Sequence, residues 1–235
     1  SHPLLSAIHK GELILTSNNL KITLKDNVYR QVIEMICNGQ LQNDDIITEK
    51  QLTSHFGISK SPVREALIQL CHDHVLKSIP RCGYQVVTIN AKDIHNLTET
   101  RLLLELGSLP KIIERITPEQ LSELKELNRQ REKPLIEKDV WSSWNRNIEF
   151  HLSLVEIANN EYILETMERV LSSCTRAYAQ LYSIEKQAVI LPGDDTHAHS
   201  LITQAIEAGN LEAAQSLLRM DILCMESQLL SIHIK

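Results

Sequence analysis

Four residues, Phe56-Gly57-Ile58-Ser59, separate two stretches of helical apolar period, and few folds accommodate so short a joint. Before it, Thr48 and Gln51 have the spacing of a capping box, with Ile47 and Leu52 placed as the apolar staple that flanks one. After it, Val63, Ala66, Leu67 and Leu70 recur on one helical face, and Pro62 is tolerated in the first turn. A joint of this length, with a glycine in it, turns one helix sharply onto the next. Upstream, Leu24, Val28, Val32, Met35 and Ile36 predict a further helix, stopped by Gly39. Past His74 the period drops to two. The stretch LKSIPRCGYQVVTI reads as two strands about a turn at Pro80–Gly83.

From Asn90, a helix cap, the period is helical to the end. Helices are predicted near 91–115, 118–131, 139–158, 160–186, 195–208 and 210–232. The expected fold is therefore mostly α. A winged helix-turn-helix of three helices and a two-stranded wing fills 21–90, and an all-α helical bundle fills 91–235. Residues 1–20 form an N-terminal extension to which the sequence attaches no role. A hydrophobic content of 43% suits a packed core, while 4% aromatics argue against an aromatic-rich β architecture. No apolar run approaches the roughly 20 residues of a membrane-spanning helix, and residues 1–20 lack the charged start and apolar core of a secretion signal. Five cysteines (37, 71, 82, 174 and 224) form no CxxC and no even set. Reduced thiols, a cytoplasmic location and no membrane association are the expectation.

The net charge of −6 is unevenly spread. Residues 1–90 carry 9 Lys+Arg against 8 Asp+Glu, and residues 91–235 carry 15 against 22. Any phosphate contact belongs to the first part. There, Lys60, Ser61 and Arg64 lie on the polar face of the third helix, opposite its apolar stripe. That is where a helix-turn-helix meets base edges. Arg64 can grip a guanine bidentately, and Lys60 and Ser61 suit a phosphate or a single base acceptor. Lys50 falls in the first turn of the preceding helix, where backbone N–H groups already favour a phosphate. Arg81 sits at the wing tip, positioned for a minor groove. Singly, each is an ordinary solvated charge; it is the cluster that points to double-stranded DNA.

In the helical part, ionisable residues interrupt apolar stripes. His151 lies among Phe150, Leu154, Val155 and Ala158, with Asn147 one turn earlier. His199 shares a face with Ile202 and Ile206, and Asp221 interrupts Ala214, Leu218 and Met225. Arg101 falls between Leu97 and Leu104. Burying such groups alone is costly, so partners are expected. Three of these interruptions, on three helices, are placed to converge. Trp141 and Trp144 are expected to pack the helix that carries His151.

At this point the sequence resembles a known family. The run from Thr48 to Val87 resembles the winged helix of the GntR superfamily. Glu49-Lys50-Gln51-Leu52, Ser59-Lys60-Ser61-Pro62-Val63-Arg64-Glu65-Ala66-Leu67 and Arg81 with Gly83 match its pattern. Two family arginines stand here as Lys50 and Lys60, which keeps the charge and loses the bidentate fork. His74-Val75 replaces the family's Gly-Leu before the wing. Arg101 to Glu105, Asn147 to His151, His199 to Ile206 and Ala214 to Asp221 resemble the all-α FCD domain of the FadR-like branch. The resemblance implies a transcription regulator that binds operator DNA through Lys50, Lys60, Ser61, Arg64, Arg81 and Gly83. It implies a homodimer whose helical domain senses a small carboxylate effector held in part by Arg101. It also implies a divalent metal at Asn147, His151, His199 and Asp221. The family uses one Asp and three His there, whereas this chain has Asn147 for the Asp and Asp221 for a His. Two imidazoles and one carboxylate suit zinc, nickel or manganese. Equally open are a metal-free pocket of mutually hydrogen-bonded groups and an exposed Arg101–Glu105 pair.

The alternative reading is a metal-dependent enzyme domain fused to a DNA-binding module. The sequence holds no HExxH, phosphate-binding P-loop, glycine-rich dinucleotide loop or serine elbow to support it. The expectation is therefore a regulator and not an enzyme.

Overall fold

The computed structural model describes residues 23–37, 39–131, 140–185 and 196–230. The 1–20 extension lies outside them, as do the side chains of Cys37 and Trp141. The chain opens with α1 (Leu24–Cys37), β1 (Ile46–Ile47), α2 (Glu49–Phe56) and α3 (Lys60–His72). Strands β2 (Leu76–Ile79) and β3 (Gly83–Val86) follow. Val28, Val32 and Ile33 of α1, Leu52 of α2 and Val63, Ala66, Leu67 and Leu70 of α3 meet in one core. The capping box predicted for α2 forms in full. Thr48 Oγ1 accepts from Gln51 N at 3.2 Å, and Thr48 N donates to Gln51 Oε1 at 2.8 Å. Gly57 ends α2 with φ +65°, a left-handed conformation that costs glycine nothing, so the chain reverses into α3 within four residues.

The wing departs from expectation: it is three-stranded, not two-stranded, with order β1-β3-β2. Ile46 and Ile47 pair with Gln85 and Tyr84, and β2 pairs with β3 from Leu76↔Val86 to Ile79↔Gly83. A two-residue strand is too short to show an alternating period, so β1 was invisible in the sequence. Gly83 explains how it fits. At φ +133° a Cβ on this residue would collide with the carbonyl oxygen of Ile47. Its glycine identity thus has a structural cause, independent of any contact with DNA.

The helical part comprises α4 (Ala91–Arg115), α5 (Pro118–Arg131), α6 (Val140–Ile157), α7 (Glu161–Glu185), α8 (Thr196–Glu207) and α9 (Leu211–Leu230). These agree with the expected spans to within two residues. Asn90 caps α4 reciprocally with Asp93, as its position suggested. Two apolar clusters fill the bundle. One gathers Trp144, Ile148 and Leu152 of α6 around Met167, Leu171 and Cys174 of α7. The other joins Phe150 and Leu154 of α6 to Ile202 of α8 and Leu218 and Ile222 of α9. Trp144 is fully buried, stacks on Tyr178 and donates its Nε1–H to Thr175 Oγ1 at 2.9 Å. On α4, α6 and α9 the polar interruptions fall at the seam between the two clusters.

Helix α7 also touches the winged helix. Arg176 Nη1 donates to the carbonyl of His74 at 3.3 Å. Gln180 accepts from Ile89 N at 3.1 Å and donates to the carbonyl of Val87 at 3.3 Å. No helix among the described residues is long and apolar enough to cross a membrane.

Candidate functional site

The winged helix presents its candidate cations to solvent. Lys50, Lys60, Ser61, Arg64 and Arg81 are all exposed, while Val63, Ala66, Leu67 and Leu70 of α3 are buried. Arg81 takes φ +65° at the β2–β3 tip, where it is exposed. Two of the six predicted residues already have local partners. Ser61 Oγ donates to Glu65 Oε1 at 2.8 Å. Arg64 Nε lies 3.7 Å from Glu49 Oε1, which also accepts a long bond of 3.4 Å from Tyr84 Oη. Sequence reading missed Glu49 and Tyr84 in this role. Their pairing with Arg64 depends on α2, α3 and β3 meeting, and no spacing along the chain reports that. A surface cleft lined by Arg30, Gln31, Glu34, Met35, Gln40 and His55 contains none of these residues.

The bundle brings the other predicted residues together. His151 Nε2 lies 3.1 Å from Asp221 Oδ2, and His199 Nε2 lies 3.5 Å from Asp221 Oδ1. Both imidazoles are buried, and Asp221 is nearly so. The two rings meet edge to face at 5.2 Å, and Phe150 stacks on His199 at 3.9 Å. His151 Nε2 is close to Asp221 but off the line of a hydrogen bond, so it has no proper partner. Asn147 lies one turn before His151, and its Oδ1 is likewise buried without a partner.

Glu105 is the residue the sequence reading placed least well. It sits in the interior with Arg101, both side chains at 0% exposure, so the pair is not on the surface. Arg101 Nε donates to Glu105 Oε1 at 2.7 Å, and His151 Nδ1 lies 2.7 Å from Glu105 Oε2. Burial alone would raise the Glu105 carboxyl, but the charges of Arg101 and His151 outweigh it and hold the group low and ionised. An ionised carboxylate only accepts, so His151 carries its proton on Nδ1 and donates it to Glu105. Burial opposes charging of His151, but Glu105 and Asp221 outweigh it and raise its pKa, so Nε2 is free to bind only once the ring gives up that second proton. Burial also opposes ionisation of Asp221, but the two imidazoles that face it, His151 and His199, hold it well below the usual carboxylate range. A carboxylate behind a ligating histidine is the common outer support of a metal site.

The His151, His199 and Asp221 donor atoms all lie within 4.8 Å of one another, a set of residues that could hold a metal ion. Asn147, whose buried Oδ1 has no partner, lies on the same face of α6 as His151. Arg101 is largely committed elsewhere. Beyond Glu105, its Nη1 lies 3.3 Å from Met225 Sδ, and only Nη2 lacks a partner.

Comparison with known proteins places both halves. Residues 24–86 match the model of the bacterial regulatory proteins of the gntR family, and residues 96–222, over half the chain, match the FCD domain. The HTH-type transcriptional regulator YdhC of Bacillus subtilis is 32% identical over 143 residues, 60% of this chain and 64% of that protein. The gluconate operon transcriptional repressor of Bacillus licheniformis is 26% identical over 129 residues, 55% of this chain and 53% of that one. The chain thus aligns with somewhat over half the length of these relatives. Among solved structures, Escherichia coli McbR/YncC superposes with a TM-score of 0.76 at 21% identity, over 90% of this chain and 99% of that one, which shows a common fold. These relatives are transcription regulators, not enzymes. With a gntR-type winged helix in front and an FCD bundle behind, the chain belongs to the GntR family of bacterial transcription regulators, in its FCD-containing branch.

Proposed function

We propose that this regulator binds operator DNA as a cytoplasmic homodimer and releases or tightens that grip when a small carboxylate enters the helical domain. A divalent ion, zinc, nickel or manganese, would sit at Asn147, His151, His199 and Asp221, where it would offer an open position to the effector's carboxylate. The observation that carries this reading is the buried His151–His199–Asp221 cluster, with Glu105 behind it. The Nη2 of Arg101 is the part of that side chain left for an effector. The name of the Bacillus licheniformis relative ties that protein to gluconate, itself a small organic acid.

Helix α7 offers the route to the DNA face. It buries Cys174 within electrostatic reach of Arg101, and it holds the base of the wing through Arg176 and Gln180. An effector changes DNA affinity only by binding one arrangement of that contact better than another. A winged helix of this size reads few bases alone, which favours a two-fold dimer on paired half-sites.

Metal analysis tests the site. Wild-type protein loaded with zinc and desalted should retain it. Asp221→Ala should lower the affinity more than Asn147→Ala, because an anionic carboxylate binds a divalent cation more strongly than an amide oxygen. Retention should fall with pH as His151 and His199 protonate, because only neutral imidazole binds. Wild-type protein that takes up no zinc, nickel or manganese at neutral pH would overturn the metal reading.

A further inference from the structure

Buried polar atoms normally find partners, and those that do not deserve a cause. In the bundle several of them lie on α5 and α6, two helices that pack together. Arg146 Nε and Nη2 on α6 are buried with no hydrogen-bond partner, and so is the adjacent Asn147 Oδ1. Arg146 lies one turn before Phe150 on the same face of α6, and the Phe150 ring covers His199. Across from α6, Asn128 of α5 donates Nδ2–H to Thr203 Oγ1 at 2.9 Å, but its Oδ1 is also buried and unpartnered. Thr203 in turn donates to the carbonyl of His199 at 2.8 Å, so Asn128 is tied to the same helix turn as the metal-site histidine.

The two free atoms of Arg146 are a particular pair. Nε–H and the Nη2–H groups lie on one edge of the planar guanidinium and form the fork that accepts a carboxylate through two parallel hydrogen bonds. An arginine that shields this edge from water yet leaves it empty is held ready for an oxyanion, since leaving it unmatched is costly. Arg101 makes the contrast, because its Nε is already taken by Glu105.

We propose that Arg146, in preference to Arg101, is the anion anchor of the sensor domain. Its Nε and Nη2 bind one carboxylate of the effector, and a second oxygen donor of the same molecule reaches the His151–His199–Asp221 cluster. The effector is then a hydroxy- or dicarboxylic acid. Arg146 shares the face of Phe150, whose ring stacks on His199, so the second donor of the ligand approaches the cluster from the His199 side; the offset from Arg146 to His151 along the α6 axis is about 7.5 Å. This inference rests on the sensor reading above and narrows it to one ligand class and one residue.

The test uses the full chain, with Arg146→Met and Arg146→Lys, titrated calorimetrically with succinate, citrate and gluconate. Wild-type protein should bind at least one of them. Arg146→Met should weaken that binding by about ten- to hundredfold, the loss of a charge-assisted bidentate pair. Arg146→Lys, which keeps the charge and loses the fork, should fall between. Zinc uptake should be unchanged in both variants. Ligand-free Arg146→Met should unfold at the same or a higher temperature, since it removes two buried N–H groups that have no partner. A lower unfolding temperature would mark Arg146 as a structural side chain and overturn the proposal. Undiminished carboxylate binding by Arg146→Met would also overturn it, while leaving the sensor reading intact. If wild-type protein binds none of the three acids but responds to glucose or putrescine, the anchor and its ligand class fail and the sensor survives. If no compound binds or alters operator affinity, both readings fail together.

Discussion

The winged helix keeps its functional charges in water, and the helical bundle keeps its own in the interior. Arg64 and Glu49 are 3.7 Å apart and largely solvated, whereas Arg101, Glu105 and His151 are linked at 2.7 Å with 0% exposure. An exposed pair of this kind is worth about 0–1 kcal/mol, because water screens it and two long side chains must be held still. Removing one member of a buried set leaves an uncompensated charge and costs about 3–5 kcal/mol. Hence the DNA face can change its residues with little effect on folding. In the bundle, the charged residues of the proposed site are also held by the contacts that stabilise the fold.

The sharpest way to break this contrast is Glu105→Ala. It strands Arg101 and frees His151, so a loss of about 3–5 kcal/mol is expected in urea unfolding. Zinc affinity should fall with it, since His151 loses the acceptor that orients its ring. A variant as stable as wild type would show that the network is not carrying the bundle.

Arg64→Ala is the counterpart on the exposed side. Operator binding in a gel-shift titration should weaken by about 1–3 kcal/mol if Arg64 reads a guanine. Thermal stability should move by less than about 0.5 kcal/mol. Equal operator affinity in variant and wild type would remove Arg64 from the reading face.

A smaller effect separates the folding of the DNA module from its chemistry. Thr48→Ala removes the side-chain half of the α2 capping box and should cost about 1 kcal/mol of stability. Because α2 abuts the reading helix, operator affinity should fall only as far as the folded fraction falls. A DNA defect at full folding would mean that the cap also positions Arg64.

The smallest effect is a titration. Burial, then the charges of Glu165 and Glu156, pushes the Glu168 carboxyl up to about 7. The folded chain therefore holds this proton more tightly than the unfolded chain does. Stability rises as pH falls from about 7 to the ordinary carboxylate range, and is lost as pH rises back to about 7. Glu168→Gln should be the more stable protein at about pH 8, with the difference gone by about pH 4. A difference independent of pH would assign it to packing.

Much of this was readable without coordinates, for a physical reason. Periodicity, caps and tight turns are local, so Thr48, Gln51, Gly57 and Asn90 announced their helices, and the apolar stripes of α3 and α6 announced their buried faces. The placing of His151, His199 and Asp221 in those stripes also foretold their burial, since a polar residue in an apolar stripe has nowhere else to point. Partnership was not local. Strand β1 is two residues long and exists only because β3 lies beside it, with Gly83 allowing the approach. Glu49 meets Arg64 across two helices, Glu105 meets His151 across 46 residues, and Arg176 meets His74 across 102. The chain alone determined which helix faces would be buried, because that follows from the helical repeat, but it left the burial of the Arg101–Glu105 pair open. Only the packing of the helices decided which buried charge would neutralise which, and which guanidinium edge, that of Arg146, would be left unmatched.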